Sequence, residues 1–291
     1  MDANTSFAAI HHANMLSDRI RIDAYARAIE AQVSSSDSVV DVGTGTGILA
    51  ALAAQRTAAP VLGIEYFGST ATVAKEMARL SGLQNLQILE GRSFDVQWDA
   101  SPTILVTETI GRLGPEENIV EICYDFKRRH PSISRVLPAK LSIYAEPIVS
   151  TLVEREENEF LEKFYAASSG SFRYENIACF LESSFSGAIR FSQLVDDGCE
   201  PTWSPRLLAR YTLGESKVSA FATVVDIPED SRINGLHIYF EADFGAGHKL
   251  SSHRSAPMTH WLHAYVKRPK GRRRTIISYE PGWPTFKVQW I

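Results

Sequence analysis

The chain has 291 residues, 44% of them hydrophobic and 22% charged, the proportions of an ordinary globular protein with room for one or two substantial cores. Its formal net charge of −4 argues against unspecific attachment to nucleic acid. Cys123, Cys179 and Cys199 form no metal-ligand spacing, no run approaches the roughly 18 apolar residues of a membrane span, and the N-terminus lacks an apolar signal core, so a cytoplasmic protein with free thiols and no metal is expected.

Taken in chain order, the first half alternates strand and helix signals. Ser38 to Val42 reads as a short buried strand that runs into a glycine loop, and Ile48 to Arg56, rich in Ala and Leu, as a helix. Pro60 to Glu65 is the next strand and Thr70 to Ser81 the next helix; Leu86–Leu89 and Thr103–Val106 are further apolar runs. Strands separated by helices predict a parallel sheet with helices on its faces. The pattern changes near Pro138. Leu141 to Tyr144 alternates with period two. Glu154 to Tyr165, and then Glu175 to Ile189, read as helical. Leu236, Ile238, Phe240, Ala242 and Phe244 share one face of a long strand, and Ile276–Tyr279 and Phe286–Trp290 continue the β pattern. The expected organisation is a Rossmann-like α/β domain over residues 1–137, followed by an antiparallel β domain over 138–291 with a helical excursion at about 154–190.

Asp41-Val42-Gly43-Thr44-Gly45-Thr46-Gly47 follows a strand and opens a helix. Glycines there let the backbone approach a ligand and take positive φ, and the helix start offers free N–H groups. Such a loop alone is shared by many nucleotide folds and by plain turns. Glu65, at the end of the next strand, adds an acceptor for both hydroxyls of a ribose, a logic that nicotinamide dehydrogenases share.

Asp41 to Leu49, together with Gly63-Ile64-Glu65, resembles the cofactor core of the protein arginine methyltransferases, and Met15 to Tyr25 resembles the segment that precedes it. The resemblance implies that S-adenosylmethionine is bound by His12, Arg21, Asp41, Gly43, Gly45, Glu65, Ser93 and Asp95. Arg21 would pair with its carboxylate, and Asp95 would replace the acid that the family often has where Phe94 stands. Thr107 to Glu117 resembles the family's double-glutamate hairpin, with Glu108 and Glu117 nine positions apart and Glu116 outside the pattern. Two fixed carboxylates suit a guanidinium, which is planar, permanently charged and rich in donors. Met258-Thr259-His260-Trp261 resembles the Thr-His-Trp loop, implying a proton-accepting pair of His260 with Asp18 and a pocket lined by Met15, Arg112 and Trp261. The implied fold is a Rossmann-like domain and an abbreviated antiparallel β-barrel with a helical arm for homodimerisation. The likeness is good over residues 9–145, moderate over 225–266 and poor over 150–225.

The sequence also departs from the family. Phe7 is the sole aromatic among Met1 to Ala8, so the family's tyrosine-rich lid helix is expected to be missing or replaced, and Thr109, Ile110 and Arg112 stand where many relatives have Trp, Met and Tyr. The acceptor therefore stays open between protein arginine and free arginine or another guanidino metabolite. A cofactor-binding protein without turnover is the alternative from another class, and a dehydrogenase gives the hairpin and the Thr-His-Trp loop no role. Lys267 to Arg274 reads as a solvated turn between strands.

Overall fold

The computed structural model describes residues 12–167, 186–194 and 203–291. A short helix over 12–17 (α1) leads to α2 (Arg19–Gln32). An α/β unit follows: β1 (Val39–Val42), α3 (Ile48–Ala54), β2 (Val61–Glu65), α4 (Gly68–Leu80), β3 (Leu86–Glu90), β4 (Ile104–Thr107), a 3₁₀ turn (Pro115–Glu117), α5 (Ile119–Arg129) and β5 (Arg135–Leu137). The five strands are parallel in the order β3-β2-β1-β4-β5. Every residue of β1, β2 and β4 is buried, as strands covered on both faces must be. The order reverses between β1 and β4, and ligands of open α/β sheets bind beyond the strand ends at such a point.

The chain then turns antiparallel: β6 (Lys140–Ile148), α6 (Thr151–Ala167), β7 (Ile189–Ser192), β8 (Arg206–Thr212), β9 (Phe221–Asp226), β10 (Gly235–Gly245), β11 (His248–Ser251), β12 (His263–Lys267), β13 (Arg274–Tyr279) and β14 (Lys287–Trp290). Five strands pair in the order β7-β12-β10-β6-β8, with β11 on β10, and a second sheet runs β14-β13-β9. The expected barrel is thus two antiparallel sheets that meet at β8 and β9, where Thr223 Oγ1 donates to Leu208 O at 2.7 Å; among the described residues no strand pairing closes them into one ring. The alternation read for β10 holds, since Leu236, Ile238, Phe240, Ala242 and Phe244 are all buried. Burying each of the four large side chains contributes roughly 1.5–3 kcal/mol.

One apolar core runs through both halves. Tyr25 of α2 meets Phe244 of β10 edge-on at 4.7 Å, and Gln32 donates to the Phe244 carbonyl at 2.7 Å. The β half is therefore anchored on the helix that enters the α/β half. Helix α6 covers the predicted Glu154–Tyr165. Of the predicted helix Glu175–Ile189, residues up to 185 lie outside the described ones; Ser186 and Gly187 form a turn, and Ile189 opens strand β7. The basic run Lys267–Arg274 lies across the turn between β12 and β13.

Candidate active site

Three strand ends converge at the reversal of the parallel sheet. β1 runs into the glycine loop, β2 ends on Glu65, and β4 leads to Glu108. Gly43, Gly45 and Gly47 have φ of +72°, +59° and +87°, a region that side chains disfavour. A Cβ at Gly43 would also lie 2.6 Å from Thr109 Cγ2. The loop lines a cavity of about 610 Å³ whose wall includes Met15, Arg21, Glu65, Ser93, Glu108 and Glu117. His12 joins that wall, with its ring carbon in van der Waals range of where a Cβ on Gly45 would stand.

Glu65 is oriented by backbone donors. Its Oε2 accepts Gly45 N–H at 2.9 Å and its Oε1 accepts Phe67 N–H at 2.8 Å. Each carboxylate oxygen has a further lone pair, and the side chain borders the cavity. Across from it, Arg21 donates through Nη1 to Glu108 Oε2 and through Nη2 to Met15 O, the latter at 2.8 Å. Its Nε is buried without a partner. Burial pushes the Glu108 carboxyl up to about 8 against the pull of the Arg21 guanidinium, and Glu117 adds to the rise. Burial also raises Glu117, with Arg21 opposing, although that side chain is reached by solvent through the cavity. The two carboxyls thus share one electrostatic environment and one opening.

Asp18 links the α and β halves beside this cavity. Its Oδ1 caps α2 by accepting Arg21 N–H at 3.0 Å. Its Oδ2 accepts both the backbone N–H and the Nδ1 of His260, at 2.9 and 2.8 Å. Burial works against ionisation, but the His260 and Arg21 hydrogen bonds hold Asp18 below the usual carboxylate range. The expected Asp18–His260 pair is therefore formed, just off the cavity wall.

Four of the proposed site residues stand elsewhere. Asp41 is fully buried behind the loop and accepts Thr44 Oγ1 at 2.6 Å and Ala50 N–H at 3.0 Å, so it shapes the loop without reaching the cavity. Asp95 is exposed and off the cavity wall. Arg112 is exposed and lies over the Phe191 ring at 4.8 Å. Trp261 is packed edge-on against Phe240 at 5.0 Å, and its Nε1 donates to Ile110 O at 3.0 Å. That indole is a tie between the Thr-His-Trp loop and the hairpin. Conversely, Tyr66, Phe67 and Asn118 line the cavity; each directly follows a singled-out glutamate or its neighbour, and that adjacency was the signal available. Among the described residues no group of His, Cys, Asp and Glu is placed to hold a metal.

Residues 25–106 match the family model described as ribosomal protein L11 methyltransferase (PrmA). Protein arginine N-methyltransferase PRMT10 of Arabidopsis thaliana is 29% identical over 154 residues, 52% of this chain and 40% of that protein. The probable protein arginine N-methyltransferase 1.2 of the same plant is 25% identical over 258 residues, 86% of this chain and 68% of the other. The chain is thus similar in sequence to protein arginine N-methyltransferases of plants. The crystal structure of A. thaliana PRMT10 matches its fold with a TM-score of 0.72 at 18% identity, covering 97% of both chains. The Trypanosoma brucei PRMT1 enzyme–prozyme complex, which holds AdoHcy, gives 0.69 at 20% identity, covering 92% of this chain and 86% of the other. The sequence match to PRMT10 spans less than half the length of that relative.

Proposed function

We propose that this chain is a member of the protein arginine methyltransferase family, binds S-adenosylmethionine in the 610 Å³ cavity and transfers its methyl group to a guanidino nitrogen of arginine. One observation carries the reading: Glu108 and Glu117, from the two ends of one hairpin, border the same cavity as the glycine loop and Glu65, and Glu108 is already engaged by a guanidinium, that of Arg21.

The residues present fit the cofactor. The buried, unpartnered Nε of Arg21 is a donor without an acceptor, and a carboxylate is the acceptor that a guanidinium edge holds best. Glu65, fixed by two backbone N–H groups, suits a ribose diol; Gly43, Gly45, His12 and Ser93 complete the wall. Bound there, S-adenosylmethionine supplies an electrophilic methyl group on a sulfonium. The chain's own work is positioning. Glu108 and Glu117 hold the fork of the acceptor guanidinium, concentrate its electron density on one nitrogen and fix the direction of that nitrogen, which is where much of such a rate originates. Arg21 in turn orients Glu108. His260, oriented by Asp18, accepts the proton that the methylated guanidinium releases.

Arg112 would have read the carboxylate of a free amino-acid acceptor, and it is engaged with Phe191 away from the cavity. The reading therefore favours arginine within a polypeptide. Incubation with methyl-labelled cofactor and, separately, free arginine, an arginine-rich peptide and the same peptide with lysine in place of arginine tests this. Label should enter the arginine peptide, on the guanidino group, and neither of the others. Equal labelling of the lysine peptide would overturn the assignment.

A further inference from the structure

Glu116 lies beside the clamp but outside the two-carboxylate pattern. Glu117 enters the cavity; Glu116 is turned inward. Its Oε1 accepts the N–H of fully buried Leu113 at 2.9 Å. Its Oε2 is closed to solvent without a hydrogen-bond partner and packs on the bare Cα of Gly111, where a Cβ would come within 2.6 Å of it. Gly111 and Gly114 exchange backbone hydrogen bonds of 2.9 and 3.1 Å, and Asn118 N–H closes the 3₁₀ turn on Pro115 O at 2.9 Å. Tyr279 of β13 donates to that same carbonyl at 3.3 Å. Burial lifts the Glu116 carboxyl to about 7, with backbone N–H groups opposing and the charge of Glu117 adding to the rise.

Successive side chains of a 3₁₀ turn point roughly 120° apart, so holding one inward decides where the next one points. We propose that Glu116 is a positioning residue for the substrate clamp: its carboxyl closes the Gly111–Glu117 hairpin from the inside and sets the direction in which Glu117 enters the cavity. Without it, the Leu113 N–H loses its acceptor inside the protein, and the turn that carries Glu117 loses the contact that locks it against Gly111. The role depends on shape and on one acceptor oxygen, both of which an amide supplies. It rests on the guanidino-transfer reading, because it assigns Glu116 to the clamp of that reaction.

Two variants and two readouts test it. Glu116→Ala should lower kcat/KM for the arginine peptide at least tenfold, mainly through KM, and leave the Kd for S-adenosylhomocysteine within twofold of wild type. Glu116→Gln should stay within threefold of wild type in both. Wild-type kcat/KM in Glu116→Ala would overturn the proposal, as would an equal loss of cofactor affinity or a Gln variant as impaired as Ala. Crystal structures of wild type and Glu116→Ala with S-adenosylhomocysteine give the second readout. The Glu117 carboxylate should be displaced in the variant, and an unmoved carboxylate overturns the proposal whatever the acceptor. A wild-type enzyme inert toward every guanidino compound would strike the methyl-transfer reading, and the crystallographic comparison would still decide the role of Glu116.

Discussion

Asp41 shapes a loop whose cavity it never touches. It stands immediately before the glycine loop, so its sequence position resembles that of a ligand contact. The structure buries it completely, with one oxygen on Thr44 and Ala50 and the other, Oδ1, unpartnered. Burial lifts its pKa to about 7 against those two hydrogen bonds, and Glu65 adds to the rise. Between about pH 4 and 7 the folded protein keeps a proton that the unfolded chain has lost, so stability falls as pH rises through that window and levels off above it. The difference for this one group is roughly 4 kcal/mol. Urea unfolding of wild type and Asp41→Asn at pH 5 and pH 8 should show a smaller pH-dependent loss in the variant; identical losses would contradict the assignment. Arg21 makes a second prediction at this scale. Arg21→Ala and Glu65→Ala should each weaken S-adenosylhomocysteine binding by about 1.5–3 kcal/mol in calorimetry, the usual worth of a hydrogen bond to a charged group. Undiminished affinity in both folded variants would remove the cofactor assignment. That Arg21 and Glu65 border one cavity was legible, because each sits in a motif. The exposure of Asp95 and the turn of Arg112 onto Phe191 were not, because they depend on packing between distant segments.

At the scale of elements, legibility followed periodicity. β10 announced itself through five alternating apolar residues, and β1, β2 and β4 through short unbroken apolar runs. β8 is exposed or half-exposed along most of its length, and β9, although its burial alternates, reads Phe-Ala-Thr-Val-Val-Asp without alternating apolar and polar residues, so neither carried a comparable signal. β12 is buried but holds His and Lys among its five residues, which masks it. Helix α6 was readable, and its setting bears on assembly. Leu152 and Val153 pack its start against Ile148, Leu194 and Tyr265, whereas Arg155, Asn158, Glu159, Glu162, Lys163 and Ala166 further along are exposed. The exposed polar side chains described along α6 are suited to meet a second copy, and we extend the proposed function to a homodimer docked through α6. Sedimentation equilibrium should give a mass twice the 32.3 kDa of one chain; a monomer at every concentration tested would contradict it.

For the whole molecule, the central fact is that Glu108 and Glu117, the glycine loop with Glu65, and the Asp18–His260 pair come from segments far apart in sequence. The order of these segments along the chain could be read directly from the motifs. The tie of Asp18 to His260 was implied by the resemblance; what could not be read is that Arg21 of α2 holds Glu108 of the hairpin and that the indole of Trp261 ties the Thr-His-Trp loop to it, since those ties depend on a partner glutamate and on a backbone carbonyl. This arrangement makes the site a joint product of both halves, with the α/β half supplying the carboxylates and the β half supplying His260 and the Trp261 brace. The account stands or falls on the charge of those carboxylates. Single-turnover methyl transfer to the arginine peptide, at saturating cofactor, should be measured for wild type, Glu108→Gln and Glu117→Gln, which keep the shape and remove the charge. Each variant should lose about two or more orders of magnitude in rate, as removal of a preorganised electrostatic partner does, with cofactor affinity little changed. Near wild-type rates in both variants would contradict the double-glutamate mechanism and the arginine assignment with it.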